Sequence, residues 1–170
     1  VILIGIGVIS LYAQYPIKTD AVDIKEHLED WENRFDTPHT VEVKSFKQLG
    51  ETGTYLASYK LDESPAMAVL EKGINNRLKI VSSGSGTSMV QYEDVTTDDG
   101  VYVVLYGVNL SEKISMIEVD LQTADYSYLV DVPKGDYFTV VNLLPATIKS
   151  PVTISFMAYD KNGKELILDE

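Results

Sequence analysis

Apolar positions along this chain fall into three regimes. From Val1 to Ala13 they are nearly continuous, broken by Gly5, Gly7 and Ser10, and the first charged residue is Lys18. A spanning helix needs about 20 apolar residues and a signal h-region about 7–15, so the run alone is too short for the first. The sequence begins with Val and not Met. With a few more apolar residues and a basic stretch ahead of Val1, the segment would form a single N-terminal signal-anchor, with Tyr12 and Tyr15 at the level of an aromatic belt. The other reading is a buried strand or core helix, which Gly5 and Gly7 weaken. A cleaved signal is disfavoured because no small residue lies two positions before Ala13. Residues 1–16 are therefore expected to be the remnant of a membrane anchor, and 17–170 a single extracytoplasmic β-rich domain.

After Pro16 the period changes. Ala21, Ile24, Leu28, Trp31 and Phe35 recur at steps of three and four, one stripe of an amphipathic helix, with Thr19 or Asp20 as cap and acidic residues in the first turns. Its expected role is to pack that stripe on a sheet.

Beyond "DTPH" the period is two. Val41, Val43 and then Phe46 begin a strand, "LGETG" turns it, and Tyr55, Ala57, Tyr59 and Leu61 return along a second. "DESP" is expected to break the chain. Residues 65–73 then allow two readings: a helix capped by Ser64 and ended by Gly73, or a strand in a hairpin around "GINN", favoured by the alternation of Met67, Val69, Leu78 and Ile80. Further on, turn signals recur about every 10–12 residues. Between them lie expected strands at Met89–Glu93, Val101–Gly107, Ile114–Leu121, Tyr126–Val132, Tyr137–Leu143, Val152–Tyr159 and Glu165–Leu168, rich in Val, Ile, Tyr and Phe. Many short strands with even turns predict a mainly β protein, an antiparallel β-sandwich with one N-terminal amphipathic helix.

Composition narrows the function. Of 170 residues, 26 are Asp or Glu against 14 Lys or Arg, a net charge of −12 spread through the chain. That disfavours nucleic acid, which needs a basic stripe, and disfavours docking on anionic lipid through overall charge. There is no cysteine, which removes disulfides, thiolate nucleophiles and thiolate zinc sites.

The chemistry sought in the motifs is mostly missing. "SSGSGTS" lacks the Lys-Ser/Thr ending of a phosphate loop and precedes a strand, so a plain turn is the better reading; it does not match a Gly-x-Ser-x-Gly elbow either. The two histidines, His27 and His39, look like surface residues and are poorly spaced for zinc or a triad. Glu93, Asp94, Asp98 and Asp99, or Asp160, Asn162 and Glu165, could offer oxygen ligands to calcium. "DKNG", however, has its glycine at the fourth position, and Asn-Gly suits a two-residue hairpin turn. Tyr55 and Tyr59, Tyr102 and Tyr106, and Tyr126 and Tyr128 share strand faces; cross-strand packing is the commoner use, an aromatic ligand platform the rarer. No catalytic, cofactor-binding or metal-ligating residue is assigned, and no cofactor is expected.

Two stretches, "MAVLEKGINNRLKIVSSGSGTSMVQYEDVTTDDGVYVVLYGVN" and "AYDKNGKEL", resemble a group of uncharacterised membrane-anchored extracytoplasmic proteins of Bacillus-type Gram-positive bacteria. The residues that carry the likeness are Glu71, Lys72 and Gly73, Arg77, Gly84 and Gly86, and Asp160, Asn162 and Gly163. The resemblance implies a location at the cell membrane and Ig-like strands in the C-terminal half, and it carries no activity. The function expected is a non-enzymatic binding module of the envelope whose partner is an envelope protein or a cell-wall polymer, with the membrane met through the N-terminal anchor only. The alternative is a carboxylate-based hydrolase acting on wall glycan, which needs two acidic side chains about 5–10 Å apart across a cleft.

Overall fold

Asp20, in extended conformation, accepts the Asp23 backbone N–H at 2.9 Å and starts the helix α1, Ala21–Glu32. The computed structural model describes residues 12–35 and 37–168. The helix ends earlier than its apolar period, because the Asn33 side chain accepts the His39 backbone N–H and donates to the His39 carbonyl, turning the chain back. The stripe is thereby shortened. Ile24 and Leu28 are buried and Trp31 half-buried, while Ala21 and Phe35, expected on the same face, are exposed.

The chain divides into two compact units, up to Ser85 and from Gly86 onward, a boundary that falls inside the glycine- and serine-rich "SSGSGTS". In the first unit β1 (Val41–Gln48), β2 (Thr54–Leu61), β3 (Ser64–Lys72) and β4 (Leu78–Ser85) form an antiparallel sheet in chain order. Residues 65–73 are thus strand up to Lys72, and the "GINN" hairpin stands. Ile24 and Leu28 cover Ala57, Tyr59, Ala66, Ala68, Leu70 and Leu78; the alanines leave room for the helix to approach. Two bulges keep the apolar residues on that face. One between Val43 and Ser45 brings Phe46 back beside Val43, and one opposite Val69/Leu70 leaves Val81 as the extra residue, so Ile80 and Leu78 stay inward.

"DESP" breaks the chain in its first half only. Asp62 and Glu63 alone make the turn, with Asp62 at φ 53°, and Ser64 and Pro65 belong to β3. Pro65 opposes Lys60 on β2 and precedes the pairing with β4, where a missing N–H is tolerated.

In the second unit β5 (Val90–Thr97), β6 (Gly100–Val108) and β9 (Tyr137–Leu143) form one sheet in the order β5-β6-β9. A second has the order β11-β10-β7-β8, from β7 (Met116–Leu121), β8 (Tyr126–Asp131), β10 (Ile154–Tyr159) and β11 (Glu165–Leu166). Val101, Val103 and Leu105 of one sheet pack with Ile117, Val119, Leu121, Ile154 and Ala158 of the other, making an antiparallel sandwich that does not close into a barrel. Asn109, buried, fixes the crossover between sheets: Oδ1 accepts the Ile114 N–H at 2.8 Å and Nδ2 donates to its carbonyl at 2.9 Å. Gly107 is required where β5 begins, since a Cβ there would lie 2.0 Å from the Met89 carbonyl oxygen.

Among the described residues no helix is long and apolar enough to cross a membrane. Of the expected anchor remnant, residues 1–16, residues 1–11 lie outside the described residues, and 12–14 are helical.

Candidate functional site

Of the residues that carried the resemblance, Glu71, Lys72, Gly73 and Arg77 lie together at the tip of the β3–β4 hairpin, whereas Gly84, Gly86, Asp160, Asn162 and Gly163 do not. Gly73 seats the Tyr15 ring, and a Cβ there would come within 2.6 Å of the ring. Arg77 donates Nε to the Pro16 carbonyl at 2.9 Å and Nη2 to the same oxygen, while its guanidinium lies 5.5 Å from the Tyr12 ring centroid. Asn75 Nδ2 donates to the Tyr15 carbonyl at 3.4 Å. Ile17 and Leu78 exchange backbone hydrogen bonds of 3.0 and 2.7 Å, the one bridge outside the named strands among the described residues. Glu71 pairs with Lys79 at 2.9 Å, and the Lys79 ammonium stands 5.1 Å from the Tyr15 ring. Glu71 first, then Tyr15, hold the Lys79 pKa above its ordinary value. The β3–β4 hairpin is therefore a clasp on residues 12–17, the end of the apolar run and the residues just after it.

Beside the clasp, α1 and β4 enclose a cleft of about 370 Å³ lined by His27, Asp30, Trp31, Arg34, Lys79 and Ile80, with Pro16 and Ile17 at its N-terminal side. Trp31 is fixed in it: Nε1 donates to the Ser83 hydroxyl at 2.9 Å, and the Arg34 guanidinium stacks 4.1 Å above the ring while donating to the Trp31 carbonyl at 2.5 Å. His27 lines the same cleft, with Nδ1 donating to the Asp23 carbonyl at 2.8 Å. His27 and Ser83 are thus each engaged by a hydrogen bond, His27 to the Asp23 carbonyl and Ser83 to the Trp31 ring. Asp30 is the carboxylate among the described residues that line the cleft, and Trp31, Arg34 and Lys79 give it aromatic and cationic surface.

The other candidates are placed elsewhere. His39 is 2.7 Å from Asp62, whose second oxygen accepts the Thr40 N–H and hydroxyl, each at 2.9 Å; these contacts, His39 first, hold the Asp62 pKa down to about 2. Ser82–Ser85 of the glycine-rich segment, Gly84 included, are strand, and only the part from Gly86 to Met89 is irregular. Glu93 and Asp94 are successive residues of β5, and Asp98 and Asp99 form the turn after it, beside a hollow of about 430 Å³. Asp98 and Asp99 are neighbours on one turn and do not stand on opposite walls. Asp160 Oδ1 accepts the backbone N–H of Asn162 at 2.8 Å and of Lys164 at 2.9 Å. Those two bonds hold its pKa down. Its turn has positive φ at Gly163 alone, not at both central residues as a two-residue Asn-Gly turn would. Among the described residues no group of three His, Asp or Glu is placed to hold a metal ion.

The tyrosines do not share one surface. Tyr55 stacks on Phe46 across β1 and β2 at 5.3 Å, and Tyr59 is buried with its hydroxyl donating to Glu32 at 2.5 Å. Tyr102 and Tyr106 are buried, and burial pushes Tyr106 up to about 12 with Glu93 adding to it. Tyr126 and Tyr128 lie 5.8 Å apart against the sandwich core. No family model, curated protein or solved structure matches the chain.

Proposed function

We propose that the chain is a non-enzymatic binding module of the cell envelope, tethered by its N-terminal segment and displayed outside the cytoplasmic membrane, where it engages an envelope protein or a cell-wall polymer. The observation that carries this reading is the clasp. Glu71, Gly73, Asn75, Arg77 and Leu78 commit a whole hairpin to fixing residues 15–17 directly after an uncharged apolar run. Such fastening would give a tethered domain a set orientation at its exit from a membrane. The second unit adds to this. Its strand order, β5-β6-β9 against β11-β10-β7-β8, fits the Ig-like arrangement that the resemblance implied. Folds of that type present loops and sheet faces to partners, an inference made by analogy of fold.

The full chain in intact protoplasts is expected to resist alkaline extraction from membranes and to be digested beyond Pro16 by protease added outside. Binding is expected as co-sedimentation with purified wall or capture of an envelope protein, without release of sugar. Sugar release abolished by Asp30→Asn, or by Asp98→Asn with Asp99→Asn, would replace the binding module with the glycan hydrolase.

A further inference from the structure

Resting on the tethered reading, we propose that the tip of the β3–β4 hairpin is a second membrane contact. Ile74 enters the bilayer interface beside Tyr12, and Lys72 faces the phosphates of anionic phospholipid headgroups.

Ile74 is 86% exposed, a branched apolar side chain at the head of a turn completed by Asn75 and Asn76. A single exposed isoleucine is ordinary on a protein surface and by itself points to nothing. Its surroundings distinguish it. Gly73, immediately before it, carries the Tyr15 ring, and Tyr12, itself 52% exposed, is held at the same hairpin by Arg77. Tyr12 is also the residue that follows Val1–Leu11, a stretch without a charge. The hairpin tip therefore lies where a membrane tether would leave the lipid, the level at which tyrosines collect.

Charge distribution points the same way, although the net charge of −12 disfavours anionic lipid for the chain as a whole. Up to Ser85 the chain has nine Lys and Arg against twelve Asp and Glu, and from Gly86 it has five against fourteen. Within the first unit, residues 72–79, KGINNRLK, contain Lys72, Arg77 and Lys79 and no carboxylate. Glu71 is occupied with Lys79, and Glu51, in the β1–β2 turn at the same end of the sheet, is the opposing charge nearby in the topology. Exposed apolar tip, interfacial tyrosine and basic flanks make the composition of a headgroup contact.

The absence of native cysteine makes the test direct. The full chain carrying Ile74→Cys is labelled with an environment-sensitive fluorophore and reconstituted into phosphatidylcholine vesicles with or without phosphatidylglycerol, a lipid-borne quencher being placed at headgroup depth. The reference is Glu63→Cys, 91% exposed in the β2–β3 turn at the far end of β3, roughly 30 Å away along the nine-residue strand. Both positions are exposed, so neither substitution threatens folding. The probe at 74 is expected to be quenched and blue-shifted, more so with phosphatidylglycerol, and the probe at 63 to be neither. Adding Lys72→Gln is expected to lower the docked-to-free ratio on phosphatidylglycerol by about fivefold, the effect of one basic side chain near an anionic surface. An unquenched probe at 74 in a chain that stays in the vesicles overturns the contact and leaves the tether standing. Dependence on phosphatidylglycerol without quenching also overturns it, since the tip then meets phosphate outside the bilayer. A chain that does not stay in the vesicles overturns both.

Discussion

Replacing Arg77 with Ala tests whether the clasp holds the N-terminal segment as the geometry indicates. Arg77 is half-buried, donates twice to one carbonyl and covers the Tyr12 ring. Hydrogen bonds from a charged group contribute about 1.5–3 kcal/mol, and an exposed cation–π contact about 0.5–1. The Pro16 carbonyl can turn to water once the guanidinium is gone, which returns part of that, so the net loss is expected at about 1–2 kcal/mol. It should appear as local opening, because the core under α1 does not include Arg77. The reporter is amide hydrogen exchange at Ile17 and Leu78, whose N–H groups bond each other's carbonyls. A loss of 1–2 kcal/mol raises their opening by about 5–30-fold. Amides of Ala57 and Ala68 at the sheet centre and of Val119 in the second unit should keep their protection. If Ile17 exchanges no faster, or if every amide of the first unit accelerates together, the clasp is not an independent fastening and the argument fails.

Leu28→Ala is expected to cost about 2.5–5 kcal/mol, because Leu28 is wholly buried between helix and sheet; urea denaturation should show a lower midpoint with little change in slope. Asn109→Ala leaves the Ile114 N–H and carbonyl unpaired in a buried crossover and is expected to cost about 2–4 kcal/mol, read by denaturation of the second unit. Asp62 has a folded pKa depressed to about 2, below its ordinary value of 3.8. It contributes stability that is fully present above 3.8 and lost as pH falls through about 2. Asp62→Asn should flatten that part of the stability-versus-pH curve, and an unchanged acid limb would remove the His39–Asp62–Thr40 network from the account.

Local period carried most of the fold. Ile24 and Leu28 could be placed on one buried face, and Tyr55, Ala57 and Tyr59 on another, because each pattern depends only on near neighbours. Where the reading failed, an interaction from outside the window decided. Phe35 continued the helical stripe in sequence, yet Asn33 had already closed the helix on His39. Pro65 looked like a breaker because its register against Lys60, which makes the missing N–H harmless, is set by a partner strand. The step of three from Val43 to Phe46 departs from a period of two, and the structure has a bulge there. The boundary at Ser85 falls inside "SSGSGTS", whose composition reads as a plain turn because nothing local distinguishes a turn within one unit from a junction between two.

The candidate site was legible only as residue types without addresses. Asp160, Asn162 and Gly163 could be understood locally, because the Asp160 carboxylate caps N–H groups two and four residues on, and any hairpin of this length can use the same device. Glu71, Gly73 and Arg77 have no local reason for their identities. Each is dictated across the sheet or from about sixty positions earlier in the chain: a ring that leaves no room for a Cβ, a carbonyl that takes a guanidinium fork, and an ammonium that needs a counter-charge. A motif built of local turns identifies a fold feature, whereas one built of long-range partners identifies a particular joint. That difference marks the joint between Tyr12–Ile17 and the β3–β4 hairpin, and not the acidic turns, as the feature particular to this chain.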